Sequence, residues 1–439
     1  MKKILLISLI TSSVFSQTSN IFEPIDLFDL EYVSNTEISP SGDKVLYQRN
    51  YNDIMTDQSF SNIWLINYDG TNNRPITTGN YKDNSPKWSN QGDKFIFQSN
   101  RDSKSQIFLF DLKNNSIQKL TNFQYSIQSI KWSPDDNYIL FSSFIDSKRK
   151  SLIKMPEKPK GAKWNDPPVE ISDLNYRYDS SGYRKPGEVQ FFTIPVSGGT
   201  PRQISNIKPE KRAGQAEWLG NDKIIFSANL NDDSDYNTNN SEIYILSLES
   251  GKHEALTSRN GPDSSPKVSN DNSMIAYLGY DDEYLGYQQN SIYVMKPDGS
   301  SKFKIQLNLD RNISNIYWSA DDKRIYFQFD DKGITKIGST TLEGKFQTEV
   351  DQIGGLSFSR PYSGGFFSLS KNNRYSFTYG TSYNPADLAV GYKGSKKRLT
   401  NLNKDLFDYK KLGNVEEIWY ESSFDGKMIH GWIVKTPNF

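Results

Sequence analysis

The segment Trp132-Ser133-Pro134-Asp135-Asp136-Asn137-Tyr138-Ile139-Leu140-Phe141 decides the fold. An aromatic residue and a serine run into turn formers, and a stretch of mostly apolar residues follows. Pro presets φ, Asp or Asn caps its own turn, and where Gly stands it supplies φ > 0. The segment therefore reads as a tight turn leading into a strand. The same reading recurs along the chain. Ile38-Ser39-Pro40-Ser41-Gly42-Asp43 precedes Val45-Leu46-Tyr47, and Trp88-Ser89-Asn90-Gln91-Gly92-Asp93 precedes Phe95-Ile96-Phe97. Trp218-Leu219-Gly220-Asn221-Asp222 precedes Ile224-Ile225-Phe226, and Val268-Ser269-Asn270-Asp271 precedes Met274-Ile275-Ala276-Tyr277. Trp318-Ser319-Ala320-Asp321-Asp322 precedes Ile325-Tyr326-Phe327, and Leu369-Ser370-Lys371-Asn372 precedes Tyr375-Ser376-Phe377.

Counted from the second residue of each copy, the steps are 50, 44, 86, 50, 50 and 51 residues. The long step is one unit with an insertion, because residues 147–187 are rich in Pro, Gly, Lys and Asp. Each unit has a second half, such as Ile107-Phe108-Leu109-Phe110-Asp111 followed by Gln118-Lys119-Leu120-Thr121, which gives four strands per unit. A period of about 40–50 residues with four short strands indicates a β-propeller. A four-stranded blade cannot bury two apolar faces alone, and stacking around a ring buries both. The fold class is all-β, a seven-bladed β-propeller, and the Trp or other apolar residue before each turn is read as packing between blades.

Composition narrows function. The 439 residues carry 52 basic and 52 acidic side chains, so no basic stripe marks a nucleic-acid partner. Zero cysteine excludes disulfides, thiol nucleophiles and cysteine-bound metals, and two histidines leave little for a histidine-rich zinc site. Lys2 and Lys3 precede the apolar run Ile4 to Ile10, continued by Val14 and Phe15, with Val14 and Ser16 small enough for a cleavage site. Residues 1–16 read as a signal peptide, too short to span a bilayer, so the chain is expected in the periplasm or secreted, with no membrane contact after cleavage.

No catalytic residue, cofactor or metal ligand is assigned. Serine nucleophiles need a base and a strained turn, and the G-x-S-x-G elbow is absent from the sequence. His253, in Gly251-Lys252-His253-Glu254, reads as a solvated hairpin turn, and His430 alternates within Met428-Ile429-His430-Gly431-Trp432 as one face of a strand. The loop Asp232 to Asn239 has oxygen ligands at alternate positions, but Thr238 and Tyr244 stand where a calcium loop counted from Asp233 needs Gly and Glu. It reads as a hairpin tip. Lys148-Arg149-Lys150 and the run Lys393 to Arg398 read as solvated loops.

Three segments carry a resemblance. Phe28-Asp29-Leu30-Glu31-Tyr32-Val33-Ser34, running into Ile38-Ser39-Pro40, resembles the start of prolyl-oligopeptidase-family serine peptidases. Met155 to Trp164, then Leu174-Asn175-Tyr176-Arg177-Tyr178-Asp179-Ser180-Ser181-Gly182-Tyr183, is similar to the acylaminoacyl-peptidase and dipeptidyl-peptidase-like branch, with Ser180 in place of the usual Gly. Glu416-Glu417-Ile418-Trp419-Tyr420, Ser423-Phe424-Asp425-Gly426 and Ile429 to Pro437 resemble the hairpin that opens the family's α/β-hydrolase domain.

With residues 1–16 read as a signal peptide, the resemblance implies a propeller over 21–410 and the start of a truncated hydrolase domain at 411–439. It implies acyl transfer at a peptide carbonyl by a Ser, Asp and His that match no position here, so this chain alone is expected to be inactive. The propeller would restrict access to short peptides, with the 147–187 insertion the loop expected to have a role. The alternative is a free-standing periplasmic propeller that binds a protein or peptide partner, which would close its ring soon after Leu402. A propeller glycosidase would need paired carboxylates in a central pocket, whereas the acids here lie mostly at turns. Peptide specificity and oligomeric state stay open.

Overall fold

The computed structural model describes residues 20–147, 156–165, 168–171, 173–179, 181–208, 211, 213–355 and 364–438. The expected signal peptide, the Lys148–Lys150 cluster, Met155 and Ser180 lie outside them. Residues 31–401 form one compact unit, a ring of seven four-stranded antiparallel sheets, as the repeat implied.

Blade 1 comprises Tyr32–Ile38, Lys44–Asp53, Gln58–Asn67 and Arg74–Pro75; blade 2 comprises Asn84–Trp88, Lys94–Asp102, Lys104–Asp111 and Ser116–Lys119. Blade 3 runs Ile127–Trp132, Tyr138–Asp146, Gly187–Pro195 and Arg202–Gln203, and blade 4 runs Ala213–Leu219, Lys223–Ala228, Glu242–Ser247 and His253–Ala255. Asp263–Val268, Ile275–Gly279, Ser291–Met295 and Phe303–Lys304 make blade 5. Ile313–Trp318, Arg324–Asp331, Ile334–Thr341 and Phe346–Ile353 make blade 6. Blade 7 is Phe367–Leu369, Tyr375–Thr381, Asn384–Tyr392 and Ser395–Arg398. In every blade the four strands hydrogen-bond in chain order.

The repeated turn joins the first strand of each blade to the second. Its serine donates to the carboxylate or amide that follows, as Ser133 does to Asp135 at 2.5 Å and Ser319 to Asp321 at 2.7 Å. The serine Oγ also accepts the backbone N–H five residues on, from Tyr138 at 2.9 Å and from Arg324 at 2.9 Å. Three residues past the serine the backbone is left-handed in six copies, at Gly42, Gly92, Asp136, Asn272, Asp322 and Asn373. Glycine adopts that conformation without a Cβ clash, and Asn and Asp tolerate it best among the rest. Where Asp or Asn stands, its side chain reaches back one blade. Asp136 accepts the N–H of Asn90 at 2.8 Å, Asp322 that of Asn270 at 2.9 Å, and Asn373 that of Ala320 at 2.9 Å. These residues therefore cap their neighbour's turn rather than their own.

Between blades lie apolar layers. Leu46, Ile63 and Leu65 of blade 1 pack with Phe95, Phe97, Phe108 and Phe110 of blade 2, and Tyr326 and Ile337 of blade 6 pack with Phe367, Tyr375 and Phe377 of blade 7. The ring closes without a shared strand. Thr36 of blade 1 donates to Ser376 of blade 7 at 2.6 Å, the Ile38 N–H donates to Ser368 Oγ at 2.8 Å, and the Lys371 N–H donates to the Pro40 carbonyl at 3.0 Å.

The insertion joins the second and third strands of blade 3. Its described part carries a two-residue ladder, Arg177–Tyr178 with Gly182–Tyr183, and exposes Trp164, Leu174, Tyr176 and Tyr183.

The second unit gathers the described residues before Glu31 with those from Leu402 onward. A 3₁₀ turn, Pro24–Phe28, is tied by Asp26 to Lys410 at 2.9 Å, and Phe22 packs on Phe407. The hairpin predicted around Asp425-Gly426 is present, Val415–Glu421 pairing with Met428–Val434, with Gly426 at φ 70°. His430 stacks on Trp419 and meets Trp432 at a tilt of 48°, ring centroids 4.1 Å from each, with Nε2 3.0 Å from the Glu417 carboxylate.

Candidate functional site

The first strand of each blade faces the ring axis. In blades 1, 2, 5 and 6 it carries an irregularity four residues before the turn serine, where Asn35, Ser85, Ser265 and Asn315 have φ of 44–53°. A bulge re-aims the side chains beyond it. The residue two before the serine position then points to the axis, and in chain order these are Glu37, Lys87, Lys131, Glu217, Lys267 and Tyr317, with Ser368 buried at the seventh. The first six line an axial cavity of about 790 Å³, to which blade 7 adds Phe366, Leu369, Ser370 and Lys371.

This charged belt is the candidate site. Lys87 pairs with Glu37 at 2.6 Å across blades 2 and 1. Glu217 takes two partners, Lys267 at 2.5 Å and Lys131, from the blades on either side of it. Lys267 also lies 5.4 Å from the centre of the Tyr317 ring, and Lys87 5.9 Å from that of Phe366. Three ammoniums thus share two carboxylates.

The electrostatics follow from that count. Burial works to raise Glu217, but Lys131 and Lys267 hold it down at about 2. Desolvation pushes Lys131 down to about 7 despite Glu217, and the like charges of Lys267 and Lys87 add to the fall. Burial also opposes the charge on Lys267 and Lys87, yet Glu217 and Glu37 respectively raise them above an ordinary lysine. Burial raises Tyr317, and the lysines partly offset it. The belt can hold and orient a charged group, and Lys131 can exchange a proton near neutral pH.

The inter-blade tryptophans fix the belt's backbone. Trp88 donates its indole N–H to the Glu37 carbonyl at 3.0 Å, Trp132 to that of Lys87 at 2.9 Å and Trp318 to that of Lys267 at 3.0 Å. Trp218, in the corresponding place, is buried with its N–H unpartnered among the described residues. The packing role expected of these residues holds, with a polar function added in three of four.

His253 and the acidic loop of blade 4 are not among the residues that line the cavity. His253 is not in a turn: it opens the fourth strand of blade 4, edge-on to Tyr244 and Phe226 at 5.8 and 6.2 Å. Its alternation with Ala255 across a short edge strand, rather than the preceding Gly251-Lys252, sets its place. The acidic loop at 232–239 joins the second and third strands of blade 4, where Lys211 donates to the Asn231 carbonyl at 2.6 Å and Asn229 to that of Asn237 at 2.7 Å. Sequence reasoning missed the belt. Its signal was present, since five of the seven aligned repeats carry Lys or Glu at one offset, where a strand alternates inward.

No protein-family model matches the sequence. The chain is 25% identical over 450 residues to dipeptidyl-peptidase 5 of Porphyromonas gingivalis, covering 98% of this chain and 63% of that protein. It therefore spans less than two thirds of that relative's length. In fold it is similar to the acylaminoacyl peptidase of Pyrococcus horikoshii, with TM-score 0.71 and 18% identity over 92% of this chain and 57% of that one. It is also similar to the propeller domain of the trilobed protease from Pyrococcus furiosus, described as having an open velcro topology, with TM-score 0.57 and 17% identity over 86% of this chain and 98% of that one. Sequence and fold together fit the propeller part of a prolyl-oligopeptidase-family peptidase.

Proposed function

We propose that this chain is the access-controlling propeller of an exported serine peptidase that hydrolyses short peptides. The observation that carries the reading is similarity along 98% of the chain to 63% of a dipeptidyl-peptidase. Export rests on Lys2, Lys3 and the apolar run after them. The chemistry would be attack by a serine on a peptide carbonyl with a histidine as proton carrier, supplied outside these 439 residues, since no G-x-S-x-G occurs within them. The propeller's part is selectivity, its axial cavity and rim admitting short chains.

The experiment is release of p-nitroaniline from dipeptidyl-p-nitroanilides. The 439-residue chain is assayed alone and as the product of its whole reading frame, with and without a serine-directed fluorophosphonate. The expected result is activity confined to the longer product and abolished by the inhibitor. Inhibitor-sensitive hydrolysis by the 439-residue chain would refute the placement of the triad. If the reading frame ends at Phe439, the free-standing partner-binding propeller replaces the peptidase reading.

A further inference from the structure

We propose that the axial cavity is a binding site for a single carboxylate group, of the kind borne by a peptide C-terminus or a small organic acid, built by Lys87, Lys131 and Lys267 beside Tyr317. The inference goes beyond the peptidase reading and stands or falls separately from it. Glu37 is engaged by Lys87 and Glu217 by both Lys131 and Lys267, so with Lys131 protonated the belt carries one positive charge without a counter-charge. Each ammonium has three N–H donors, more than these two carboxylates engage. The five side chains keep 16–31% of their surface open, so their free donors face the cavity while its walls shield them from bulk solvent.

A charge in that setting attracts a counter-ion more strongly than one on an open surface. One carboxylate balances the surplus of the belt itself. Tyr317 and Phe366, already beside Lys267 and Lys87, offer ring surface to the apolar part of the ligand. Lys371 lines the cavity at the turn end, where it donates to the Asn90 carbonyl at 3.2 Å, and its positive charge favours entry of an anion.

Binding has a proton signature. Lys131 is held low by desolvation and by Lys267 and Lys87, with Glu217 opposing. A bound carboxylate adds a second negative neighbour and restores its proton. Affinity should therefore fall as pH rises through about 7, and complex formation should take up protons.

The test is calorimetric titration of the 439-residue chain at low salt with N-acetyl-Gly-Phe as the free acid, its C-terminal amide, and acetate. The expected result is binding of the acid at least about tenfold tighter than the amide, weakening with salt and from pH 6.5 to about 8.5, with buffer-dependent heat reporting proton uptake. Lys131→Met and Lys267→Met, checked for native melting, should each weaken the acid by about tenfold. Acetate competing as well as the peptide acid would support the site with a free acid as its source, and the peptide acid alone binding would support it with a chain terminus. Equal binding of acid and amide, no binding of the acid, or wild-type affinity in both folded variants would overturn the proposal.

Discussion

Trp318 of blade 6 donates its indole N–H to the main-chain carbonyl of Lys267 on blade 5, 3.0 Å away. One bond thus ties the packing layer between two blades to a residue of the axial belt. Trp218 has the same place and the same 8% exposure, but its N–H has no partner among the described residues. The two therefore form a matched pair. Trp318→Phe removes a donor and leaves a buried carbonyl wanting, while Trp218→Phe removes an unpaired N–H. Trp318→Phe should cost about 1–2 kcal/mol more in urea unfolding than Trp218→Phe. Equal losses would show that the indole bond contributes nothing.

Asp322 serves two ends at once. It holds φ 54° and accepts the N–H groups of Asn270 and Asp271 with its two carboxylate oxygens, at 2.9 and 3.0 Å. Asp322→Gly keeps the left-handed backbone and loses the bonds, whereas Asp322→Ala loses both. The expected order of melting temperature is wild type, Gly, Ala, with the last step worth up to about 1 kcal/mol. Alanine melting above glycine would remove backbone strain from the account.

Ser368 supplies one of the hydroxyls that close the ring. It accepts the Ile38 N–H at 2.8 Å and lies 2.9 Å from Ser376, itself the acceptor of Thr36. Ser368→Ala strands a buried backbone N–H at the seam, for a loss of about 1–3 kcal/mol. Amide exchange should speed up most in blades 1 and 7, because the seam has no shared strand to hold it once those bonds go. Uniform acceleration around the ring would contradict this.

Glu242 makes stability depend on pH. Burial pushes its carboxyl up to about 7; Thr257, donating at 2.5 Å, works against this, the nearby Asp263 adds to the rise, and Arg259 and Lys302 oppose it. Its folded pKa exceeds its unfolded one, so the fold holds more protons between them. The stabilisation is full below about pH 4.5 and is lost as pH rises to about 7. Burial raises Asp263 as well, which slopes stability the same way. Glu242→Gln should flatten, without abolishing, the fall in melting temperature between about pH 5 and 7. An unchanged slope would place the proton elsewhere.

The sequence by itself determined the repeat, the strand pattern, the seven blades, the hairpin at Asp425-Gly426 and the place of the insertion. These rest on turn chemistry and alternation within about ten residues, which act before any long contact forms. It also carried, unread, the belt's offset. Only the tertiary structure decided that Glu217 would stand between Lys131 and Lys267, 86 and 50 residues away in the chain. The same holds for Asp322 capping the turn of another blade, and for Trp218 lacking the acceptor that Trp318 finds. A charge on a short strand reads alike whether it faces solvent or an axis. Ring curvature and the bulges at Asn35, Ser85, Ser265 and Asn315 settle which, and both arise from the packing of whole blades against each other.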